Sequence, residues 1–355
     1  MKILSVGYAL EKASGVTTFV ERTAAELRSM GHVVDIVDVA KDRDGANCVA
    51  NYDVVHLHGL WQFRRYSEAA YGAKVPVVWS THGMASPWAM RHKWLKKKIA
   101  WMLFQKSDLK KAAAIHCTTE QEVAWNERLG LGNLFVAPLG CELSRVGCSG
   151  REKRDGRVDR VLLFVGRIHP VKGLVNLIRA WGLVVSSELL GASGERWKLR
   201  IVGPDEGGHQ FELESLVREL NLGESIEFAG GKYGESLSRE YENCDCLVLP
   251  SFTENFGAAV VDAMAHAKPV IASTFTPWRD VAQEKCGWWV SNEPDKLASA
   301  FRELIEMADG ERTAMGARGR LLAENRYSWC AVAQKLESVY ENAGRYAVGA
   351  PHADC

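Results

Sequence analysis

The sequence predicts an α/β protein built from two doubly wound parallel-sheet domains. Its 355 residues exceed the roughly 100 to 200 residues of a typical single domain. Short runs rich in β-branched residues recur along the chain, and each is followed by a loop and a helix-like segment. This is the pattern of a parallel sheet covered by helices. The runs fall into two sets separated by a polar stretch, so we expect one sheet in each domain.

The predicted strands are all short and follow one another in two series. In the first series they lie near Ile3 to Val6, Val33 to Val37, Val54 to Leu57, Val77 to Trp79, Ala114 to Cys117 and Leu134 to Ala137. In the second they lie near Val161 to Val165, Leu199 to Val202, Ile226 to Phe228, Cys246 to Leu249, Val270 to Ala272 and Trp288 to Val290.

A polar stretch in the middle of the chain predicts the domain boundary. Residues 148–160, CSGREKRDGRVDR, favour an interdomain linker. We therefore expect a first domain over residues 1–150 and a second over 159–328. The end of the chain, from Gly344 to Cys355, predicts poor order.

Composition and charge exclude several classes of protein. Lys plus Arg equals Asp plus Glu, 44 against 44, so no overall field recruits nucleic acid. The opening MKILSVGYALEK is too short and wrongly flanked for a signal peptide. No segment reaches the roughly 18 to 20 apolar residues of a membrane-spanning helix. The 9 cysteines lack metal-type pairing and predict free thiols in a reducing compartment, so we expect a cytoplasmic protein.

The stretch SFTENFGAAVVDAMAHAKPV, residues 251–270, contains two carboxylates, Glu254 and Asp262, in otherwise apolar or small surroundings. The helix that carries Asp262 is apolar on every side, which predicts burial, so this carboxylate needs a hydrogen-bond donor. His266 at i+4 is one candidate. The vicinal hydroxyls of a ribose, bound at the N-terminal end of the helix, are the other.

The same loop offers groups for the rest of a nucleotide diphosphate sugar. It follows a strand of a parallel sheet, where ligands of such sheets bind. We expect Glu254 to face a second hydroxylated group. The amides of Asn255, Phe256 and Gly257 open a helix, and a helix N-terminus favours an anion. Ribose, phosphate and sugar lie in that order in a nucleotide diphosphate sugar.

These residues resemble the E-x7-E signature of the family 4 retaining glycosyltransferases of GT-B fold. Glu254 matches the first acid, and Asp262 stands where glutamate is usual, with a side chain one methylene shorter. The resemblance implies two Rossmann-like domains that face a central cleft, with a last helix, about 329–346, that packs back on the first domain. It implies sugar transfer from a nucleotide diphosphate sugar without a metal or another cofactor.

The loop FVGRIHPVKG, residues 164–173, carries two cations at the end of a predicted strand. Gly166 permits a tight turn, and Arg167 and Lys172 lie beside a helix N-terminus that adds positive potential. Such a pair is either solvated or holds a diphosphate. The resemblance favours the second interpretation, because the family uses this Arg and Lys to stabilise the departing nucleoside diphosphate.

The loops of the first domain give weaker signals. Gly15 lies just before a helix, close to the family's glycine-rich first loop near the donor phosphates, although Ser14 is also a plain N-cap. His82 resembles the family's histidine that approaches the transferred sugar, or is a buried structural histidine. His56 and His58 share a strand face, which is a metal-like spacing, but no third ligand is near in sequence. We interpret this pair as structural.

Two further motifs are assigned no chemistry. Asp42-Arg43-Asp44 is a literal DxD in a polar loop, far from the other signals, and does not imply a metal. Thr119 to Glu122 is a capping box at a helix start.

The segment from Trp88 to Lys111 is basic and aromatic. Between residues 91 and 111 it has eight Lys or Arg against one acid, Asp108. This pattern suits peripheral contact with anionic lipid at the inner face of a membrane, or a helix whose tryptophans pack on the sheet with its lysines in water. Both interpretations stay open.

The sequence therefore predicts a retaining hexosyltransferase that moves a hexose to a glycan, lipid-linked or small-molecule acceptor, in surface polysaccharide or glycoconjugate synthesis. The predicted catalytic residues are His82, Arg167, Lys172 and Glu254. The predicted donor-binding residues are Gly15, Gly166, Asn255, Phe256, Gly257 and Asp262. Two alternatives stay open: another GT-B enzyme, of epimerase or phosphorylase type, and a non-catalytic nucleotide-sugar-binding partner. The donor base, UDP or GDP, is not predicted.

Overall fold

The protein is described from a computed structural model over residues 1–10, 14–42, 45–91, 93–143, 153–154, 157–186 and 196–347. The chain divides into two compact units. The first comprises Met1–Gly140 and the chain from Tyr327 onward, and the second comprises Cys141–Arg326. Arg43, Asp44, most of the predicted linker and residues 348–355 lie outside the described residues.

The first unit contains a six-stranded parallel sheet in the order β2-β1-β3-β4-β5-β6. Its strands are β1 Lys2–Gly7, β2 Val33–Asp38, β3 Val54–His58, β4 Val77–Ser80, β5 Ala114–Cys117 and β6 Leu134–Val136. Its helices are α1 Gly15–Ser29, α2 Arg64–Gly72, α3 Pro87–Arg91, α4 Trp94–Ala100, α5 Lys106–Lys111 and α6 Glu120–Arg128, with 3₁₀ turns over Gly45–Asn51 and a π-helical turn over Trp101–Gln105.

Successive residues of the central strands enter two different cores. Leu4 and Trp79 pack in one apolar cluster, while Ile3 and Val78 pack in another. Neighbouring side chains point to opposite faces of a strand, so both faces of this sheet are covered. The second cluster includes Tyr340 and five other buried residues of the last helix.

The second unit contains six parallel strands in the order β10-β9-β8-β11-β12-β13. These are β8 Arg157–Val165, β9 Arg196–Val202, β10 Ile226–Phe228, β11 Cys246–Leu249, β12 Val270–Ser273 and β13 Gly287–Val290, with β7 Lys153–Arg154 paired antiparallel to β8. The helices are α7 Leu174–Val185, α8 His209–Glu219, α9 Glu235–Asn243, α10 Ala258–Ala265, α11 Asp280–Gln283, α12 Pro294–Glu306 and α13 Asp309–Leu322, followed by a π-helical turn over Ala323–Tyr327.

All twelve predicted strands are present, so the predicted fold class of two doubly wound parallel sheets is confirmed. The linker prediction is wrong where it can be compared with the structure, because Lys153–Arg154 and Arg157–Val165 are strands. The pairing of β7 with β8 uses backbone hydrogen bonds, which do not require apolar side chains. A polar sequence therefore gave no indication of these strands.

The last helix, α14 Trp329–Ala347, belongs to the first unit. A side chain at Gly140 would place its Cβ 2.3 Å from the Trp329 ring, so glycine is needed for this close approach. Tyr340 bonds His56 at 2.6 Å, and Glu337 bonds His32 at 2.7 Å. The described helices are all too short or too polar for a transmembrane span.

Candidate donor site

The order of strands in the second unit places two loops side by side. Strand β8 lies between β9 and β11, so the direction of winding reverses between β8 and β11. Ligands of such sheets bind at this reversal, beyond the carboxyl ends of the strands. The loop after β8 contains Gly166 to Gly173, and the loop after β11 contains Pro250 to Gly257.

The two loops are tied together by backbone contacts. The Phe252 amide donates to the Val171 carbonyl at 2.8 Å. Gly173 has φ +70, and a Cβ there would lie 2.2 Å from the Pro250 carbonyl oxygen. Any larger residue at this position would push the loops apart, so the approach depends on glycine.

Lys172 and Glu254, predicted separately as site residues, are in direct contact across these loops. The Lys172 ammonium lies 2.5 Å from Glu254 Oε1, which also accepts from the Ser251 hydroxyl at 2.7 Å. The side chains are only 14% and 11% exposed. The pair thus supplies one cation and one carboxylate, largely withdrawn from water, at the reversal point of the sheet.

Arg167 occupies the rim of the same region. Its guanidinium pairs with Glu206 at 2.5 Å, and both side chains are well exposed. The Gly166 amide that precedes it donates to the Val202 carbonyl at 3.0 Å, so the loop after β9 lies against this turn. The structure therefore places Arg167 on Glu206 rather than on Lys172 or Glu254.

Asn255, Phe256 and Gly257 lead into α10. Phe256 is buried and packs its ring edge-on against Trp278 at 5.1 Å, and its carbonyl accepts from the Trp278 indole. Gly257 is the N-cap with φ +82, and a Cβ there would lie 2.9 Å from Leu249. This start of the helix is fixed by packing.

Asp262 lies within α10 and is half-buried. Burial, with a smaller contribution from the Glu142 charge, raises the pKa of its carboxyl to about 7. The alternative partner, His266, does not bind this carboxyl. The His266 ring bonds the backbone carbonyl of Asp262 at 2.7 Å through Nδ1 and the Ser238 hydroxyl at 2.9 Å through Nε2.

The raised pKa of Asp262 predicts a pH-dependent penalty. Between pH 4 and pH 7 the Asp262 carboxyl is protonated in the folded chain and ionised in the unfolded chain. Its contribution to the free energy of unfolding is therefore fully present below pH 4 and is lost as the pH rises to 7. Asp262→Asn, which keeps the shape without the charge, is expected to raise the free energy of unfolding at pH 8 by about 4 kcal/mol and to leave it nearly unchanged at pH 4. Urea unfolding at both pH values measures this. Equal effects at the two pH values would contradict it, and exposed Asp295→Asn is the control.

His82 lies in the first unit, after β4, in a cluster of imidazoles. His58 Nδ1 bonds His82 Nε2 at 3.2 Å, and His58 Nε2 bonds the Ser5 hydroxyl at 2.9 Å. Burial, with a contribution from nearby His116, lowers the pKa of His82 to about 3, so its imidazole is neutral at physiological pH. His56 is bonded to Ser80 and Tyr340, which fits the structural interpretation.

No sequence pattern indicated which residue holds the His82 loop. Glu122 is completely buried, and its carboxylate accepts from the Thr81 hydroxyl at 2.6 Å, from the Gly83 amide, and from the Thr118 amide and hydroxyl at 2.7 and 2.9 Å. The first half of the predicted capping box is present, since the Thr119 hydroxyl accepts from the Glu122 amide at 3.1 Å. The Glu122 side chain accepts hydrogen bonds from the neighbouring loops and not from the Thr119 amide, which a full capping box would require.

Gly15, the remaining predicted donor residue, is exposed at the start of α1. Ser14 caps this helix by accepting from the Thr17 amide at 3.1 Å, so the plain N-cap interpretation accounts for Ser14. Among the described residues, no set of three or more His, Cys, Asp and Glu side chains is arranged to hold a metal ion.

Comparison with known proteins gives two family matches. Residues 151–322 match the family described as glycosyl transferases group 1, and residues 48–140 match the glycosyl transferase 4-like domain. A D-inositol 3-phosphate glycosyltransferase of Kineococcus radiotolerans is 32% identical over 59% of this chain, and the chain spans about half, 52%, of that relative's length. An uncharacterized glycosyltransferase of Methanocaldococcus jannaschii is 23% identical over 96% of this chain and 88% of its own.

A solved structure shows the same fold. Anabaena HepE in complex with UDP has a TM-score of 0.76 and 17% identity over 96% of this chain and 100% of its own. At this identity the similarity establishes the GT-B fold alone.

Proposed function

Because the chain belongs to the group 1 glycosyltransferases, we propose that it is a retaining hexosyltransferase whose second unit binds a nucleotide diphosphate sugar. The observation that carries the proposal is the contact of Lys172 with Glu254 where the winding of the sheet reverses. A cation for the diphosphate and a carboxylate for sugar hydroxyls are the two groups such a donor requires, and here they lie on adjacent loops.

In the proposed reaction, Lys172 and Arg167 neutralise the charge that grows on the departing diphosphate. Fixed charges of this kind often provide the largest part of a rate enhancement, and the Lys172 charge is largely withdrawn from water. An acceptor hydroxyl attacks the anomeric carbon as the bond to the diphosphate oxygen breaks. Its proton passes to a departing phosphate oxygen on the same face, so the configuration is retained.

Glu254 and Asp262 are proposed to hold the two ends of the donor. Glu254 would accept hydroxyl groups of the sugar, for which its contact with Lys172 must open or be shared. Asp262 would accept ribose hydroxyls. A ligand that hydrogen-bonds the ionised form lowers the pKa of a carboxyl, so donor binding would release the proton that Asp262 holds near neutral pH.

The wider role is part of the proposal. The acceptor is a glycan, a lipid-linked sugar or a small molecule, the pathway is surface polysaccharide or glycoconjugate synthesis, and the reaction needs no metal. The proposed location is the cytoplasm, at the inner face of the membrane.

A ligand panel with and without a chelator tests the function. We expect one nucleoside diphosphate and its sugars to raise the melting temperature equally with and without EDTA, with UDP tested first because the similar Anabaena protein binds it. The panel should be followed by product analysis with candidate acceptors, in which retention of the anomeric configuration is expected. A strict metal requirement, or binding without any turnover, would contradict the proposal and favour the non-catalytic alternative.

A further inference from the structure

The basic-aromatic segment, residues 88–111, is seated on the first unit by one side only. Gln105 is buried and accepts from the Trp61 amide at 2.8 Å. Trp101 meets Trp61 edge-on at 6.4 Å, and the Arg64 guanidinium lies 5.4 Å from the centre of the Phe104 ring. These contacts leave the opposite side of the helix open.

The open side is apolar, and we call it the apolar patch. Leu95, Ile99 and Leu103 follow one another at i+4 spacing and so line one stripe of the helix. Six large side chains are exposed: Trp88 by 67%, Trp94 by 58%, Leu95 by 56%, Ile99 by 46%, Met102 by 66% and Leu103 by 73%. Single exposed apolar residues are ordinary, but a contiguous group of them marks a binding surface.

The same segment carries exposed cations beside this patch. Arg91, Lys93, Lys96, Lys98, Lys110 and Lys111 are exposed. The Lys98 ammonium lies 5.9 Å from the centre of the Trp94 ring, and such a side chain can cover apolar surface with its stem while its charge stays in water. The one acid of the segment, Asp108, is buried and accepts from the Ser67 hydroxyl at 3.3 Å. The exposed charges among the described residues of this segment are therefore all positive, and Glu68, an acid on a neighbouring helix, is paired with Arg64 at 2.6 Å.

The combination of exposed apolar side chains and exposed lysines indicates which kind of partner binds this surface. Protein interfaces are depleted in lysine and enriched in arginine, whereas seven of the eight cations between residues 91 and 111 are lysines. Nucleic acid would use the charges but not the exposed leucines and isoleucine. A surface of anionic lipid uses both, since apolar side chains enter the acyl boundary while lysines meet the headgroups.

We propose that the apolar patch and its bordering lysines dock the first unit on an anionic lipid surface. The side chains of Leu95, Ile99, Met102 and Leu103 enter the boundary between headgroups and acyl chains, and Lys93, Lys96 and Lys98 meet lipid phosphates. This contact would bring the protein to a lipid-linked acceptor, but it does not rest on the transfer reaction.

Vesicle cosedimentation of the full chain tests the docking surface. We expect binding to phosphatidylglycerol vesicles, little binding to phosphatidylcholine alone, and weaker binding as salt rises. The paired change Lys96→Gln, Lys98→Gln is expected to weaken binding about 30-fold, since each cation near an anionic surface contributes about 1 kcal/mol. Leu95→Gln with Leu103→Gln is expected to weaken it about 10²-fold or more.

Matched controls carry the same changes elsewhere on the surface. Lys296→Gln with Lys335→Gln removes two exposed lysines, and Leu321→Gln removes an exposed leucine; these should leave vesicle binding unchanged. The rise in melting temperature on nucleotide binding should be the same in the patch variants as in wild type, because it measures binding by the second unit. If wild type shows no such rise, that result contradicts the proposed function but not the lipid proposal.

Three results would overturn the lipid proposal. The first is equal binding to neutral and anionic vesicles, and the second is an equal loss of vesicle binding in the control and patch variants. The third is a wild-type protein that does not bind vesicles but self-associates with rising concentration, where Leu95→Gln with Leu103→Gln abolishes the self-association. The last result would identify a second copy of the chain as the occupant.

Discussion

Replacing Lys172 by methionine is expected to lower kcat/KM for sugar transfer by about 10²- to 10³-fold, the usual effect of removing one group that stabilises charge in a transition state. The unbranched methionine side chain fills most of the lysine volume without its charge. The loss should fall mainly on kcat, because the negative charge on the diphosphate grows as the bond to the sugar breaks. Steady-state kinetics with the donor identified by the ligand panel measures it.

The competing explanation is that Lys172 and Glu254 form only a structural ion pair. Lys172→Met leaves the largely buried Glu254 without its countercharge and is expected to cost about 2 kcal/mol of unfolding free energy. Adding Glu254→Gln removes that unpaired charge. In the double variant we therefore expect stability to return most of the way while activity stays low. Recovery of activity together with stability would show that the pair acts on the fold alone.

A matched control is available in the same unit. Arg239 and Glu235 form an ion pair at 2.7 Å on α9 with both side chains well exposed. Arg239→Ala removes the cation of an ion pair, as Lys172→Met does, but the pair lies outside the loops after β8 and β11. Neither stability nor transfer is expected to change measurably.

Glu122→Gln is expected to lower the free energy of unfolding by about 2 to 4 kcal/mol. The carboxylate accepts four hydrogen bonds while fully buried, and hydrogen bonds to a charged group contribute about 1.5 to 3 kcal/mol each. An amide in its place turns two of its hydrogens toward groups that are themselves donors. Urea unfolding measures the change.

The loop held by Glu122 is strained as well as bonded. His82 has φ +46 and Gly83 has φ +72, and a left-handed conformation at a non-glycine residue persists only where its surroundings enforce it. Glu120, on the exposed side of the same helix, is the control, and Glu120→Gln should change stability by less than about 1 kcal/mol. Equal stabilities of the two variants would contradict a structural role for Glu122.

The strands were predictable because of how parallel sheets are covered. A strand buried on both faces is a short run of β-branched and apolar residues, and Cys246–Leu249 and Ile226–Phe228 begin and end where the sequence predicts. The strand at Lys153–Arg154 was not predictable, because it pairs through its backbone and its side chains are charged.

The sequence indicates candidate site residues one by one, but it does not indicate the contacts between them. The loops that carry Lys172 and Glu254 are far apart in sequence and meet only because β8 is the neighbour of β11, which no local pattern indicates. The pairing of Arg167 with Glu206 depends in the same way on β9. The hydrogen bonds of the Glu122 carboxylate were not predicted, because its position matches a capping box. That local motif already explains a glutamate at this position without contacts to distant loops.

A crystal structure of the protein with its donor would show whether the loops of the second unit bind a nucleotide diphosphate sugar. We expect the diphosphate within about 3 Å of the Lys172 ammonium, ribose hydroxyls on the Asp262 carboxylate, and Glu254 turned to the sugar. A donor bound elsewhere, with the contact between Lys172 and Glu254 intact and Asp262 without a ligand, would contradict this expectation.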